Sequence, residues 1–318
     1  MRRSVLITLA LALLALPAQA EVKTRLSVVT GGTGGVYYPL GGAIANVLSK
    51  YLPGVVATAE VTSASIDNLK LIGAGKGDIA FSMADSAWEG YNGTGKFHGK
   101  LPLRAIAVLY ANKTQVVTVQ GRGIEKMGDL KGKRISTGAP GSGTELIALR
   151  LLEAYGIDPE KDVKREKLSV AESVGAIKDN KIDAFIWSGG LPTAAIIDLG
   201  ATPGIKLKLL DHSDAIPAML KKYGPLYVKD TIPAKTYPGQ DKDVSILSVW
   251  NILAVNANMD EKLAYAITKT IFEKKADLVA VHKEARNLSL ESQLNGGSPI
   301  PFDPGALKYF AEKGVKKH

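Results

Sequence analysis

The stretch Gly31-Gly-Thr-Gly-Gly-Val-Tyr-Tyr-Pro-Leu40 decides the fold, because it joins a glycine turn to a periodic run. Just before it, Arg25-Leu-Ser-Val-Val-Thr30 alternates and is rich in β-branched residues, the pattern of a strand. Just after it, Val36, Leu40, Ile44, Val47, Leu48 and Tyr51 recur at helical spacing and stop at Pro53-Gly54. Val55 to Val61 reads as a second strand. Ser65 opens a helix with Ile66, Leu69 and Ile72 inward, stopped by Gly73 and Gly75. Asp78 to Ser82 is a third strand. The order β-α-β-α-β with short connections predicts a parallel sheet covered by helices.

The second half repeats this scheme. Lys133 to Thr137 reads as a strand and Gly138-Ala-Pro-Gly-Ser-Gly143 as a second glycine-rich loop. Ser142-x-x-Glu145 is a capping-box pattern that opens a helix ending at Gly156. Ser169 to Asn180 reads as a helix and Ile182 to Ile186 as a strand. The two halves also share an Asp-x-Ala-Phe or Asp-Ala-Phe strand start, at Asp78 and Asp183. Two matching units predict two lobes. Leu103 to Val119 and Ser245 to Asn256 are long, apolar and alternating, and serve as crossover strands. Asp260 to His282 is helical, and a last helix follows around Gly305 to Lys313. The expected fold is α/β and periplasmic binding protein-like, with two lobes and a hinge (type II). Lobe 1 would take residues 21–112 with 255–318, and lobe 2 residues 113–254.

Arg2 and Arg3, an apolar run from Val5 to Leu16 and Ala18-Gln-Ala20 form the pattern of a secretory signal cut after Ala20. The run is shorter than the roughly 20 residues that a membrane span needs. Its removal takes the formal charge from +9 to +7. No cysteine follows it, so a lipoprotein anchor is not expected, and the expected location is periplasmic. The chain has no cysteine at all, which excludes disulfides, a thiol nucleophile and Cys-ligated metals. Lysines are scattered among acids, as in Glu160-Lys-Asp162, so the positive charge does not predict nucleic-acid binding.

The two glycine loops carry the chemistry. Glycines let backbone approach a ligand, and the first N–H groups of a following helix suit an anion. Thr33, Gly34 and Gly35 in the first lobe, and Ser142, Gly143 and Thr144 in the second, are the candidate donors. Neither loop fits a nucleotide motif: counted from Gly32, the last position of G-x-G-x-x-G is Tyr37, and no G-K-[ST] follows. Thr33 and Ser142 also fit as plain helix caps. Ser65 and Ser82 lie at the carboxyl ends of strands, where α/β proteins bind ligands. Asp85 is read either as a helix cap or as the partner of a ligand ammonium. Trp187 is a candidate cleft wall, with core packing as the alternative; Tyr37 and Tyr38 face different sides of a helix start, so that one packs and the other is a candidate hydroxyl donor to the cleft. No G-x-S-x-G or H-E-x-x-H is present, and His98, His212, His282 and His318 fall outside the candidate loops, so no enzyme, metal or cofactor is expected.

The runs Gly31-Gly-Thr-Gly-Gly-Val-Tyr-Tyr-Pro-Leu-Gly-Gly42, Ser63-x-Ser-x-x-Asn68, Gly77-Asp-Ile-Ala-Phe81, Asp129-Leu-Lys-Gly-Lys133 and Gly141-Ser-Gly-Thr144 resemble the TAXI-type solute receptors of TRAP transporters. The resemblance implies a monomeric receptor that delivers a small carboxylate, such as glutamate, glutamine or 2-oxoglutarate, to TRAP membrane permease subunits. The dicarboxylate-binding TRAP receptors use an arginine for the carboxylate, and no arginine sits in a candidate loop here. The alternative is an ABC-type receptor of similar fold for a pyrimidine-like or sulfonate ligand.

Overall fold

A computed structural model describes residues 24–317, so the expected signal segment lies outside the described residues. Strand β1 (Thr24–Val29), helix α1 (Tyr37–Tyr51), β2 (Val55–Glu60), α2 (Ser65–Gly73) and β3 (Ile79–Met83) follow one another in the first unit. The three strands are parallel and ordered β2-β1-β3. After α3 (Ala84–Asn92), strand β4 (Leu103–Val119) leads to β5 (Arg134–Ser136), α4 (Gly143–Ala154), β6 (Lys164–Glu166), α5 (Val170–Lys178) and β7 (Ala184–Gly189). Here the order is β6-β5-β7, again parallel. The short β6 had no separate sequence signal; with it, the two units have the same element order.

The repeat extends to side chains. Asp78 accepts the Ser27 N–H at 2.7 Å, and Asp183 accepts the Arg134 N–H at 2.9 Å. Each aspartate therefore ties the third strand of its unit to the first. Arg134 also bonds Asp183 through its guanidinium and holds that carboxyl below the usual range.

Strands β8 (Leu207–Leu210), β9 (Tyr227–Ile232) and β10 (Val244–Asn256) complete the sheet, with α6 (Ala194–Ala201) ahead of β8 and α7 (Ile216–Tyr223) between β8 and β9. Helices α8 (Glu261–Glu273), α9 (Lys275–Val281) and α10 (Pro304–Glu312) close the chain, so the region read as one helix from Asp260 to His282 is split at Lys274. The 17-residue β4 and 13-residue β10 run through both lobes. Up to Lys113, β4 pairs with β10; from Lys113 it pairs with β7, and at Val116–Val119 with β8. On β10, Val244–Val249 pairs with β9, and Asn251–Ala254 pairs with β3. The register slips between Trp250 and Ile252, where partners change.

Alternating faces of these strands feed four apolar clusters, two for each lobe. Phe81 and Val28 pack under α1, α8 and α10, whereas Ala80 and Val29 pack under α2. In the other lobe, Ile186 and Ala184 pack under α4 and Phe185 under α5 and α6. The sheet is thus covered on both faces in each lobe, which explains why all five residues of β3 are buried.

His212, between β8 and α7, is fully buried. Its Nε2 accepts from Leu247 N–H at 3.4 Å, which leaves Nδ1 to donate to Leu210 O at 3.0 Å. Burial lowers its pKa from 6.5 to about 4. The unfolded chain therefore binds a proton that the folded chain refuses. Stability contributed by the neutral ring, about 3 kcal/mol, is expected to be lost as pH falls from about 6.5 to about 4. Urea melts across that range should show this slope, and His212→Gln should flatten it.

Candidate ligand-binding site

One cavity of about 400 Å³ lies between the lobes. Its walls come from the loop after β1, the starts of α1, α2, α4 and α5, the middle of β4 and the end of β7. Thr33, Gly34, Gly35, Tyr37, Ser65, Ser142, Gly143, Thr144 and Trp187 all line it. Ser82 and Asp85 do not. Ser82 is fully buried on β3 with its hydroxyl on Met83 O. Asp85 does not cap α3, whose N-cap is Met83. It points instead into a buried cluster with Arg150 and Tyr227, so its carboxylate is engaged there and does not face a ligand ammonium in the cavity.

The helix starts differ in how many donors they leave for a ligand. The first N–H groups of any helix lack intrahelical carbonyls. At α4, Ser142 Oγ accepts Glu145 N–H at 3.0 Å, so Ser142 acts as a cap. The return half of its capping box is diverted: Glu145 takes Gly141 N–H and pairs with Arg165. The reciprocal box forms one helix later, between Ser169 and Glu172 at α5. By contrast, α1 and α2 follow Val36 and Ala64 at their N-cap positions and have no side-chain cap. Thr33, one of the residues read as a cap, is exposed in the turn closed by Gly35 N–H on Gly32 O. Ala64 sits at φ 85°, a strained conformation for alanine, where the chain enters α2 beside the cavity.

The charge pattern is simple. Glu172 is the one charged residue in the lining, and its carboxylate is held by Ser169 N–H at 2.8 Å. No lysine or arginine lines the cavity among the described residues. Negative charge inside it would meet helix ends and hydroxyls. Among the described residues, no group of three or more His, Asp or Glu could hold a metal ion.

The lobes touch through glycines. A Cβ at Gly35 would lie 2.9 Å from Trp187 Cζ2, and one at Gly143 would lie 2.7 Å from Ser65 Oγ. Backbone bonds cross the cleft as well: Ile66 N–H and Asp67 N–H donate to Gly141 O, and Ala195 N–H donates to Gly34 O. The structure is therefore a closed one.

Two lining residues, Tyr110 and Asn112, come from β4, from which sequence reasoning took only a crossover strand. The available signal was polarity: Asn112, Thr114 and Gln115 interrupt a strand that is otherwise apolar. Ser169 was read as a helix start without a place in the site, although it too lines the cavity.

A two-lobed α/β fold with a closed interlobe cavity defines the type II solute-binding class. The NMT1-like family profile matches residues 28–314, and the chain belongs to that family. The fold is similar to a protein of Bordetella bronchiseptica RB50 (17% identity, 91% of this chain and 89% of that one, TM-score 0.54). It is also similar to a Listeria monocytogenes protein described as a candidate L-cystine ABC transporter (17% identity, 83% and 98%, TM-score 0.50). The alkanesulfonate-binding protein SsuA of Xanthomonas axonopodis pv. citri, bound to MOPS, shares 14% identity over 92% of this chain and 80% of that one, with TM-score 0.45.

Proposed function

We propose that this chain is an extracytoplasmic receptor that closes two lobes over a small carboxylate and delivers it to TRAP membrane permease subunits. Lobe 1 is assigned residues 21–112 with 255–318 and lobe 2 residues 113–254, after a signal cut at Ala20 releases a periplasmic monomer. The observation that carries this reading is the meeting of four helix N-termini, two from each lobe, at a cavity without a cationic side chain. Such donors hold an anion at low cost in reorganisation, and contacts from both lobes favour closure only when the site is filled. Among the described residues no helix is long and apolar enough to cross a membrane, which is consistent with a receptor that meets its permease from outside the bilayer.

Native mass spectrometry of the purified protein should reveal a retained anion. Trp187 supplies a solution assay. It is half-buried in the cavity wall, with its indole N–H on Thr193 Oγ1 at 3.0 Å. Titration with glutamate, glutamine or 2-oxoglutarate is expected to change the tryptophan emission, and Trp187→Phe should remove most of that change. A flat titration across a carboxylate panel would sink the proposal. A second reading joins the same receptor to an ATP-driven permease, as the description of the Listeria protein suggests for that protein. Uptake reconstituted in vesicles decides between them: dependence on an ion gradient supports the first, dependence on ATP the second.

A further inference from the structure

We propose that Asn112, with Tyr110 beside it, reads a hydrogen-bond donor carried by the ligand next to its anionic group. The inference rests on the carboxylate reading above and adds a requirement: an amine, amide N–H or hydroxyl on the ligand. The carrying observation is that Asn112 Oδ1 and Tyr110 Oη are buried and have no hydrogen-bond partner among the described residues. Both residues are 1% exposed and both line the cavity.

The bonds around Asn112 fix which end of its amide is free. Asn251 Nδ2 donates to Tyr110 O at 3.1 Å, so Asn251 Oδ1 is the end that faces Tyr37. The Tyr37 hydroxyl donates its single hydrogen to that oxygen. Tyr37 Oη can then only accept, and Asn112 Nδ2 donates to it at 3.4 Å. Asn112 Oδ1 is left as a buried acceptor without a donor, on a residue that lines the cavity. A flipped Asn112 would set two acceptors against each other unless Tyr37 gave up Asn251. A buried amide oxygen without a donor is destabilising, and a ligand donor would remove that cost.

Neither nearby carboxylate competes for this role. Asp85 is engaged outside the cavity, and Glu172 is exposed and holds the first turn of α5. Tyr110 is the neutral complement. Its burial raises the phenol pKa well above the usual value, so it stays protonated and can donate to the ligand anion. The site would hence place an acceptor and a donor two residues apart on β4, matched to a ligand with a donor adjacent to an anion.

The experiment compares calorimetric affinities of L-glutamate and L-glutamine with those of glutarate and 2-oxoglutarate. Glutarate lacks the α-amino donor, and 2-oxoglutarate puts an acceptor in its place. The expected result is that at least one amino acid binds about 100-fold more tightly than both acids. Asn112→Leu should shrink that ratio to below about 5-fold by weakening the amino acid far more than glutarate. The melting temperature of the ligand-free variant checks folding, and the wild-type comparison needs no variant. Glutarate or 2-oxoglutarate binding as tightly as the amino acids would overturn the inference while leaving the carboxylate reading intact. So would an unchanged ratio in Asn112→Leu. Binding of none of the four would overturn the carboxylate reading, and this inference with it.

Discussion

Arg150→Met is expected to destabilise the protein by about 3–5 kcal/mol, because it strands buried carboxylates. Arg150 on α4 reaches from the second lobe to α3 of the first. Its Nη1 lies 3.5 Å from Asp85 Oδ2, and its Nη2 bonds Glu89. Tyr227 accepts from the same guanidinium at 2.6 Å and donates to Asp85 at 2.9 Å, while the Tyr223 ring stacks 4.3 Å from the guanidinium carbon. Asp85 is fully buried and Arg150 nearly so. Burial pushes the Asp85 carboxyl up, and Arg150 and Tyr227 oppose that push. Without Arg150 the carboxyl moves further up, and its ionised form becomes the costly one. A group whose folded pKa is raised contributes most below its unfolded value and loses that contribution as pH rises. The deficit of Arg150→Met should consequently be largest at pH 7–8 and shrink toward pH 4. Thermal melts should show a drop of roughly 2–4 °C per kcal/mol. Adding Asp85→Asn should recover part of it and flatten the pH dependence. A single variant with wild-type stability at pH 7 would contradict the role of this cluster.

Gly35→Ala is expected to weaken ligand binding about 100-fold, roughly 3 kcal/mol, with little effect on the ligand-free melting temperature. The added Cβ would lie 2.9 Å from Trp187 Cζ2 and 3.0 Å from Cη2. The ring cannot retreat easily, because Thr193 holds its N–H and Gly189 lies close against the indole. In an opened cleft the two would separate, leaving the methyl group with ordinary contacts such as Gly32 O at 3.8 Å. The variant thus penalises closure alone, and the rise in melting temperature on adding ligand should disappear. Gly42→Ala is the control: its Cβ has no neighbour within 4 Å, it lies inside α1, and it should bind normally. Normal binding by Gly35→Ala would mean that closure does not bring these surfaces together.

Much of the architecture was legible in the sequence because it is local. Periodicity placed β1 through β3 and α1 and α2 to within a residue or so, and gave both crossover strands. The region between Trp187 and Ser245 yielded no elements, since β8, β9, α6 and α7 are short and owe their form to the edges they cover. The site was legible where a loop follows a strand: nine of the eleven candidate residues line one cavity. It was misread at Asp85, where a helix start looks the same whether its acid faces a ligand or a buried arginine 65 residues away.

By itself, the sequence determined the repeated β-α-β-α-β unit and the two glycine loops, because periodicity and backbone freedom act over a few residues. Only the tertiary structure decided what those loops meet. Gly35 faces Trp187, Gly143 faces Ser65, and the Asn251–Tyr37–Asn112 chain leaves one buried amide oxygen without a donor. These pairings join residues up to 214 positions apart. No local pattern records such a pairing, because it depends on how the two lobes close around strands that cross between them.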